Sequence, residues 1–295
     1  MDSLARERRD RAGARPVAAT SVDASLSDRD LTAILRLVYE KSGIALHRGK
    51  RALVAARLQK RVTQTGCATF GDYVRYLRSD ATGAELTVLL DAIATHHTAF
   101  FREPQHFEFL ARVVLPPLRA RAERAPILGW SAACSSGEEP YTIAMIAFEQ
   151  FGHAAAERFR LLASDLSMPV LERAARGVYR AERVGGLPRY FVLKYFERPF
   201  SPANVVQVVD PLKRLVEFRQ LNLLDPPPPG RPLDFIFCRN ALIYFDRDTQ
   251  QRVVRQLEAR LAPGGYLFTS HSESLNSLAH GLTWVAPAVY RRDAA

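Results

Sequence analysis

Residues 127–145 read I-L-G-W-S-A-A-C-S-S-G-E-E-P-Y-T-I-A-M. An apolar entry, Ile127 and Leu128, runs into the small residues Ser131 to Gly137. Glu138, Glu139 and Pro140 follow, and then Tyr141, Ile143, Ala144, Ala147 and Phe148 recur at helical spacing. The stretch is a strand, a tight turn and a helix. Small residues let a ligand approach the backbone, and a helix start offers free N–H groups. Pro140 suits the first helical turn, and the two acids favour the positive end of the helix dipole. The same acids repel the pyrophosphate that such a turn ordinarily binds. A turn with two carboxylates calls for a ligand that is neutral or cationic at that point.

Working outward, further β-prone segments alternate with helices. Phe159 to Ala163 is an expected strand closing on Ser164-Asp165, and Leu171 to Arg176 an expected helix. Leu233 to Cys238 is a fully apolar strand of the buried parallel type, followed by Arg239, Asn240 and Tyr244. Thr249 to Leu261 is helix, Tyr266 to Ser270 strand, and Trp284 to Arg291 a last strand. This alternation predicts a doubly wound, Rossmann-like parallel sheet within an α/β fold. Ligands in such sheets sit outside the carboxyl ends of the strands, where an acid closing the second strand takes ribose hydroxyls. A dinucleotide enzyme would carry G-x-G-x-x-G in the turn, and this chain has S-A-A-C-S-S-G-E-E. The missing phosphate cradle and the acids favour S-adenosylmethionine, which has a ribose, a sulfonium and an ammonium but no phosphate.

Two segments interrupt the pattern. Residues 26–95 read as a small all-helical domain. Ser27 or Ser25 caps its first helix, Gly43 stops it, and a second helix from about Gly49 to Gln64 places Lys50, Arg57 and Arg61 on one face. Residues 184–220, with their prolines and glycines, read as a small inserted antiparallel β-subdomain in a 96–295 catalytic domain. Residues 1–25 carry Arg, Asp and Ala without periodicity and are expected to be a disordered basic arm. Pro104 opens a helix that Pro116 and Pro117 break or kink.

Composition narrows the class. The 295 residues are 47% hydrophobic and 24% charged, as in globular domains. No apolar run reaches the ~18 residues of a membrane span. The three cysteines lack C-x-x-C spacing, so neither a disulfide framework nor a zinc site is indicated, and a cytoplasmic location is expected. Cys134 and Cys238 read as small buried fillers, and His97, His106 and His271 as structural or surface residues rather than metal ligands. Glu138 reads equally as a solvated first-turn acid or a ligand. The net charge of +10 suits either a solvated surface or an acidic partner.

Seven strings, T-A-F-F-R-E (98–103), A-A-C-S-S-G-E-E-P-Y (132–141), A-S-D (163–165), R-Y-F (189–191), N-L-L-D (222–225), F-C-R-N-A-L-I-Y-F-D (237–246) and S-H-S-E-S-L (270–275), occur in the order found in one family. The chain resembles the CheR-type chemotaxis receptor methyltransferases over about residues 27–290. The resemblance implies methyl transfer from S-adenosylmethionine to receptor glutamates, leaving S-adenosylhomocysteine. It implies cofactor contacts at His96, Thr98, Arg102, Glu139, Asp165, Asn222, Leu223, Arg239 and Asn240, with Asp165 on the ribose, Glu139 on the ammonium, and Arg102 and Tyr244 nearest the transferred methyl. Two positions depart from the pattern: His96 stands where the family usually has Asn, and Ser136 where Thr is more frequent. The expected partners are acidic helices of membrane chemoreceptors, steered by Lys50, Arg57 and Arg61, and a receptor C-terminal tail peptide at the β-subdomain. A monomer is expected, with neither nucleic-acid binding nor membrane insertion. Two other classes are a methyltransferase acting on another protein or on nucleic acid, and a silent cofactor-binding scaffold. The first is disfavoured by Arg239-Asn240-Ala241-Leu242, where amino-methylating enzymes often carry [D/N]-P-P-[Y/F]. The second is disfavoured by the presence of Arg102, Asp165 and Tyr244.

Overall fold

The computed structural model describes residues 25–94, 97–198, 204–227 and 229–294. It opens with four helices, α1 (Asp28–Ser42), α2 (Arg51–Gln64), α3 (Phe70–Ser79) and α4 (Ala84–Ile93). Their ends follow local chemistry. Ser27 Oγ accepts from the Asp30 N–H, and Gly43 stops α1 at φ 72°. Thr69 and Asp72 form a reciprocal capping box at α3. Leu31, Ile34, Val38, Leu58, Tyr73 and Leu89 bury the shared apolar face. Within it the Tyr73 hydroxyl donates to Glu85 at 2.7 Å and Arg61 Nη2 donates to the same carboxylate at 2.5 Å. Burial first, and then the hydrogen bond to Glu85, push the Tyr73 hydroxyl well above its ordinary pKa.

The rest of the chain winds a seven-stranded sheet. In chain order its strands are β1 (Ile127–Ala132), β2 (Phe159–Asp165), β6 (Val216–Gln220), β7 (Leu233–Cys238), β8 (Leu261–Phe268), β9 (Leu282–Ala286) and β10 (Val289–Arg292). The spatial order is β6-β2-β1-β7-β8-β10-β9. The first five run parallel, and the β9–β10 hairpin closes the far side antiparallel. A second, three-stranded antiparallel sheet joins β3 (Val178–Arg180), β5 (Val205–Val208) and β4 (Phe196–Glu197). The helices are α5 (Pro104–Phe109), α6 (Leu115–Ala122), α7 (Glu138–Phe151), α8 (Ala155–Arg158), α9 (Met168–Arg176), α10 (Arg189–Tyr195), α11 (Asp210–Lys213) and α12 (Arg247–Arg260). They cover both faces of the large sheet. The apolar run of β7 is explained by its two buried faces. Phe235 and Phe237 pack with Phe107, Tyr141 and Phe268, whereas Ile236 and Cys238 pack with Trp130, Val253 and Leu257. Gly129 is required beside this strand, because a Cβ there would lie 2.2 Å from the Phe235 ring.

Three expectations change. The β-subdomain comprises strands between residues 178 and 208, not 184–220, and Val216–Gln220 pairs with β2 in the main sheet. As an edge strand, β6 has the half-exposed alternation of a hairpin strand, so its pattern does not reveal which sheet it joins. The last strand is a hairpin, Leu282–Ala286 with Val289–Arg292. Pro116 and Pro117 fall in the first turn of α6 rather than ending the helix. Lacking N–H groups, they leave the carbonyls one turn earlier without the usual donors, and Leu110–Val114 winds as a π-helical turn.

Candidate active site

The chain proceeds from β1 through β2 to β6 on one side and resumes at β7 on the other side of β1. The crevice at this reversal, beyond the carboxyl ends of β1, β2 and β7, is where the fold places a ligand. A cavity of about 390 Å³ lies there, within the ~300–1,000 Å³ typical of small-molecule sites. Thr98, Arg102, Glu139, Asp165, Asn222, Leu223, Arg239, Asn240 and Tyr244 all line it. So does Lys50, in a wall contributed by the helical unit together with His47, Leu53 and Ile93. His96 lies outside the described residues.

The turn after β1 is tightly wound. Ala133, Ser135 and Gly137 have φ of 64°, 50° and 95°, and two of these are strained non-glycine conformations. The strain is held by hydrogen bonds to the end of β2. Cys134 N–H donates to Ser164 O at 2.8 Å and Ser135 N–H to Asp165 Oδ2 at 2.9 Å. These amides are therefore consumed internally, where a dinucleotide turn would aim them at phosphate. Asp165 Oδ1 also accepts from Ser167 N–H at 3.0 Å, so the carboxylate is fixed in place while it lines the cavity. Gly137 cannot carry a side chain, since a Cβ would lie 2.8 Å from Ala174 Cβ and 2.9 Å from the Tyr179 hydroxyl.

The adjacent acids divide. Glu138 is neither solvated nor among the cavity-lining residues. It is buried, accepts from Ser136 Oγ at 2.7 Å, and is ion-paired with Arg183. Arg183 also donates to Thr98 O at 2.8 Å, joining the turn to the 98–103 loop. Glu139 faces the cavity, with Oε1 accepting from Ser131 Oγ at 2.7 Å and Oε2 from Arg239 Nη1 at 2.9 Å. Burial pushes its carboxyl up, and the Arg239 charge and Ser131 hydroxyl oppose that. A carboxylate offers about four acceptor positions, so room remains for a cationic ligand atom.

Arg239 organises the floor. Its side chain is 2% exposed, lies 3.1 Å from Glu103 Oε2, rests over the Phe107 ring, and donates to Arg102 O. It thereby fixes the 98–103 loop, where Phe101 and Glu103 have φ of 52° and 58° and Arg102 Nη1 donates to His97 O at 2.8 Å. Asn222 bridges the two halves of the molecule. Its Nδ2 donates to Lys41 O at 2.8 Å while Oδ1 accepts from Leu224 N–H at 3.0 Å. Leu166, Leu221 and Leu223 give the cavity an apolar wall. Apolar wall, fixed acids and absent phosphate cradle together suit S-adenosylmethionine.

The proposed docking face divides as well. Lys50 is exposed beside the cavity, but Arg61 turns inward onto Glu85, and Arg57 donates to the carbonyls of Ile93 and Ala94 at the end of α4. The seven-and-four spacing puts the three on one side of the segment without revealing that this side meets α4. Among the histidines, His97 is exposed at the cavity and His106 is buried, 5.0 Å from the His271 ring. Burial, then the Arg239 charge, push the His106 imidazole down to about 4. Ligand atoms of Glu103, His106 and His271 lie within 4.8 Å of one another, but the Arg239 guanidinium already supplies the cation beside Glu103. Cys134 and Cys238 are buried, with thiols pushed up by burial. Sequence reasoning assigned no role to Arg183, Glu103 or Glu273, although Glu103 and Glu273 lie inside quoted motifs; a lone Arg183 in a Gly-rich segment carries no signal.

Residues 96–288 match a model described as "CheR methyltransferase, SAM binding domain", and residues 29–94 match "CheR methyltransferase, all-alpha domain". The chain is 35% identical over 278 residues to the chemotaxis protein methyltransferase of Borreliella burgdorferi, covering 92% of this chain and 97% of that one. It is 39% identical over 269 residues to the protein of the same name from Escherichia coli, covering 90% and 91%. With chemotaxis protein methyltransferase 2 of Pseudomonas aeruginosa it shares 37% over 263 residues, covering 88% and 92%.

Proposed function

The chain belongs to the CheR methyltransferase family, and from that premise we propose that it methyl-esterifies glutamate side chains on bacterial chemoreceptors. The methyl donor is S-adenosylmethionine, which when bound supplies an electrophilic methyl on a sulfonium. The observation that carries the reading is the pair of fixed carboxylates, Asp165 and Glu139, facing one cavity whose turn amides are already bonded internally. That arrangement takes a ribose and an ammonium and has no place for phosphate.

The remaining chemistry asks little of the protein. A glutamate with a pKa of ~4.3 is already a nucleophile at neutral pH. Its oxygen bonds to the methyl carbon as the carbon–sulfur bond breaks, and no proton moves. What the chain must supply is alignment and exclusion of water from the attacking carboxylate. In this reading Asp165 holds the ribose hydroxyls and Glu139 the ammonium. Leu166, Leu221 and Leu223 pack the adenine, and the Asn222 amide group borders it. Thr98, Asn240 and the neighbouring backbone complete the cofactor's surroundings. Arg102 fixes a carboxylate by a two-pronged contact, and Tyr244 orients the reacting end. Arg239 acts by holding Glu139 and the Arg102 backbone. Lys50, exposed at the cavity wall, draws in an acidic receptor helix, and the edge of the small β-sheet is the place for a receptor tail peptide. Among the described residues no helix is long and apolar enough to cross a membrane, consistent with action from the cytoplasm on a membrane receptor. The test is transfer of tritiated methyl groups to base-labile esters on a purified chemoreceptor. Parent protein should transfer them, and Asp165→Ala and Arg102→Ala should not. Transfer to base-stable products, or undiminished transfer by the Arg102 variant, would overturn this reading.

A further inference from the structure

Glu273 is buried in the turn that follows β8, and its partners are backbone amides from two loops. Oε2 accepts from Asn240 N–H at 2.8 Å and from Ser270 N–H at 2.9 Å. Oε1 accepts from Ile243 N–H at 3.2 Å. Asn240 and Ile243 belong to the loop after β7, which lines the cavity with all its residues from Arg239 to Phe245 except the core residue Leu242. Asn240 sits at φ 57°, in the left-handed region that asparagine tolerates better than other side chains, which turns its N–H inward toward Glu273. At its far end the loop is tied to the helical unit, where Ala45 N–H donates to Tyr244 O at 2.7 Å. One carboxylate thus satisfies two inward-facing amides of the loop that presents both Asn240 and Tyr244.

We propose that Glu273 is a positioning residue for methyl transfer, setting the 239–244 loop so that Asn240 and Tyr244 hold their places in the cavity. The inference rests on the functional reading above, in which those two side chains serve the cofactor and the reacting centre. Three N–H donors require three acceptor positions. A carboxylate supplies them, whereas a glutamine supplies one oxygen and sets its own NH₂ against the remaining donor. With the glutamine oxygen on Asn240 and Ser270, the Ile243–Tyr244 end is released.

The experiment measures S-adenosylhomocysteine binding by calorimetry and kcat at saturating donor for parent, Glu273→Gln and Glu273→Ala proteins. For Glu273→Gln, affinity should stay within about threefold of parent while kcat falls at least about tenfold, the cost of one buried donor left unpaired. Glu273→Ala should lose at least about tenfold in both, since both loop amides are then unpaired. A variant that melts with the parent and keeps both parameters would overturn the proposal. Parent protein that binds no S-adenosylhomocysteine would instead sink the functional reading itself. Should the alanine variant not fold, amide hydrogen exchange in the parent decides. Slow exchange at Asn240 and Ile243 supports the clamp, and unprotected exchange at these loop amides removes it.

Discussion

Arg239 makes the demands on a single residue plain. It is a cation withdrawn from water between Glu103 and Glu139, and such a group is tolerated only while its partners stay in place. Arg239→Ala should therefore cost about 3–5 kcal/mol, the penalty for stranding buried charge, read as a fall in urea midpoint. Asp165→Asn sets an amide NH₂ against one of the two backbone donors the carboxylate satisfies, Ser135 N–H and Ser167 N–H, so it should lower that midpoint by about 1–3 kcal/mol and weaken S-adenosylhomocysteine binding in calorimetry. His106 gives a pH dependence. Its imidazole titrates near 4 in the folded protein and near 6.5 in an ordinary setting, so between these values the unfolded chain binds the extra proton. Stability should then rise with pH from about 4 to about 6.5, at up to ~1.4 kcal/mol per pH unit for one site. His106→Phe should flatten that slope in urea titrations, and an unchanged slope would assign it to other groups. At this scale the motifs were legible as strings, because acids, arginines and aromatics at set spacing imply a site. Pairing was not legible. Nothing in Arg61 or Glu138 tells that the first ends on the buried Glu85 or that the second is itself buried against Arg183, because partners come from segments distant in sequence.

At the scale of elements, the network of Arg61, Glu85 and Tyr73 binds α2, α3 and α4 together. Arg61→Ala should destabilise by about 2–4 kcal/mol, as for one half of a mostly buried ion pair, whereas Lys50→Ala should leave the melting temperature unchanged and slow receptor methylation. Equal melting of the two variants would return Arg61 to the docking face. Gly129 is a second such point. Gly129→Ala drives a methyl into the Phe235 ring, and overpacking of this kind costs ~1–3 kcal/mol or more, measurable by calorimetric unfolding. Elements with a strong signal were readable from sequence. The apolar run of β7 and the caps Ser27 and Gly43 declare themselves locally. What stayed hidden was membership: β6 looks like the subdomain strands until its partner is known, and a π turn ahead of two prolines looks like a break.

For the whole molecule, the governing fact is that the cavity has walls from both the helical unit and the sheet. Ligand that binds only the assembled protein stabilises it by about 2.7 kcal/mol at a hundredfold excess over Kd. S-adenosylhomocysteine should therefore raise a single melting transition for helical unit and sheet alike, seen by scanning calorimetry. Two transitions, with only the later one shifted, would show the halves to be independent. The net charge of +10 belongs to this scale too, because in the proposed reading the spread of charge adds to Lys50 in steering an acidic partner. Receptor methylation should slow with added salt more than methylation of a short neutral glutamyl peptide. The junction of the halves is built from backbone as much as side chain: Ile44 bridges to Phe245, and Gly43, left-handed at φ 72°, would put a Cβ 3.0–3.1 Å from the Leu224 and Thr249 side chains. A transplanted or trimmed front end would arrive with the wrong main-chain path at that seam, so the catalytic half is not a portable module, and efforts to retarget it should redesign residues within the native helices rather than exchange them.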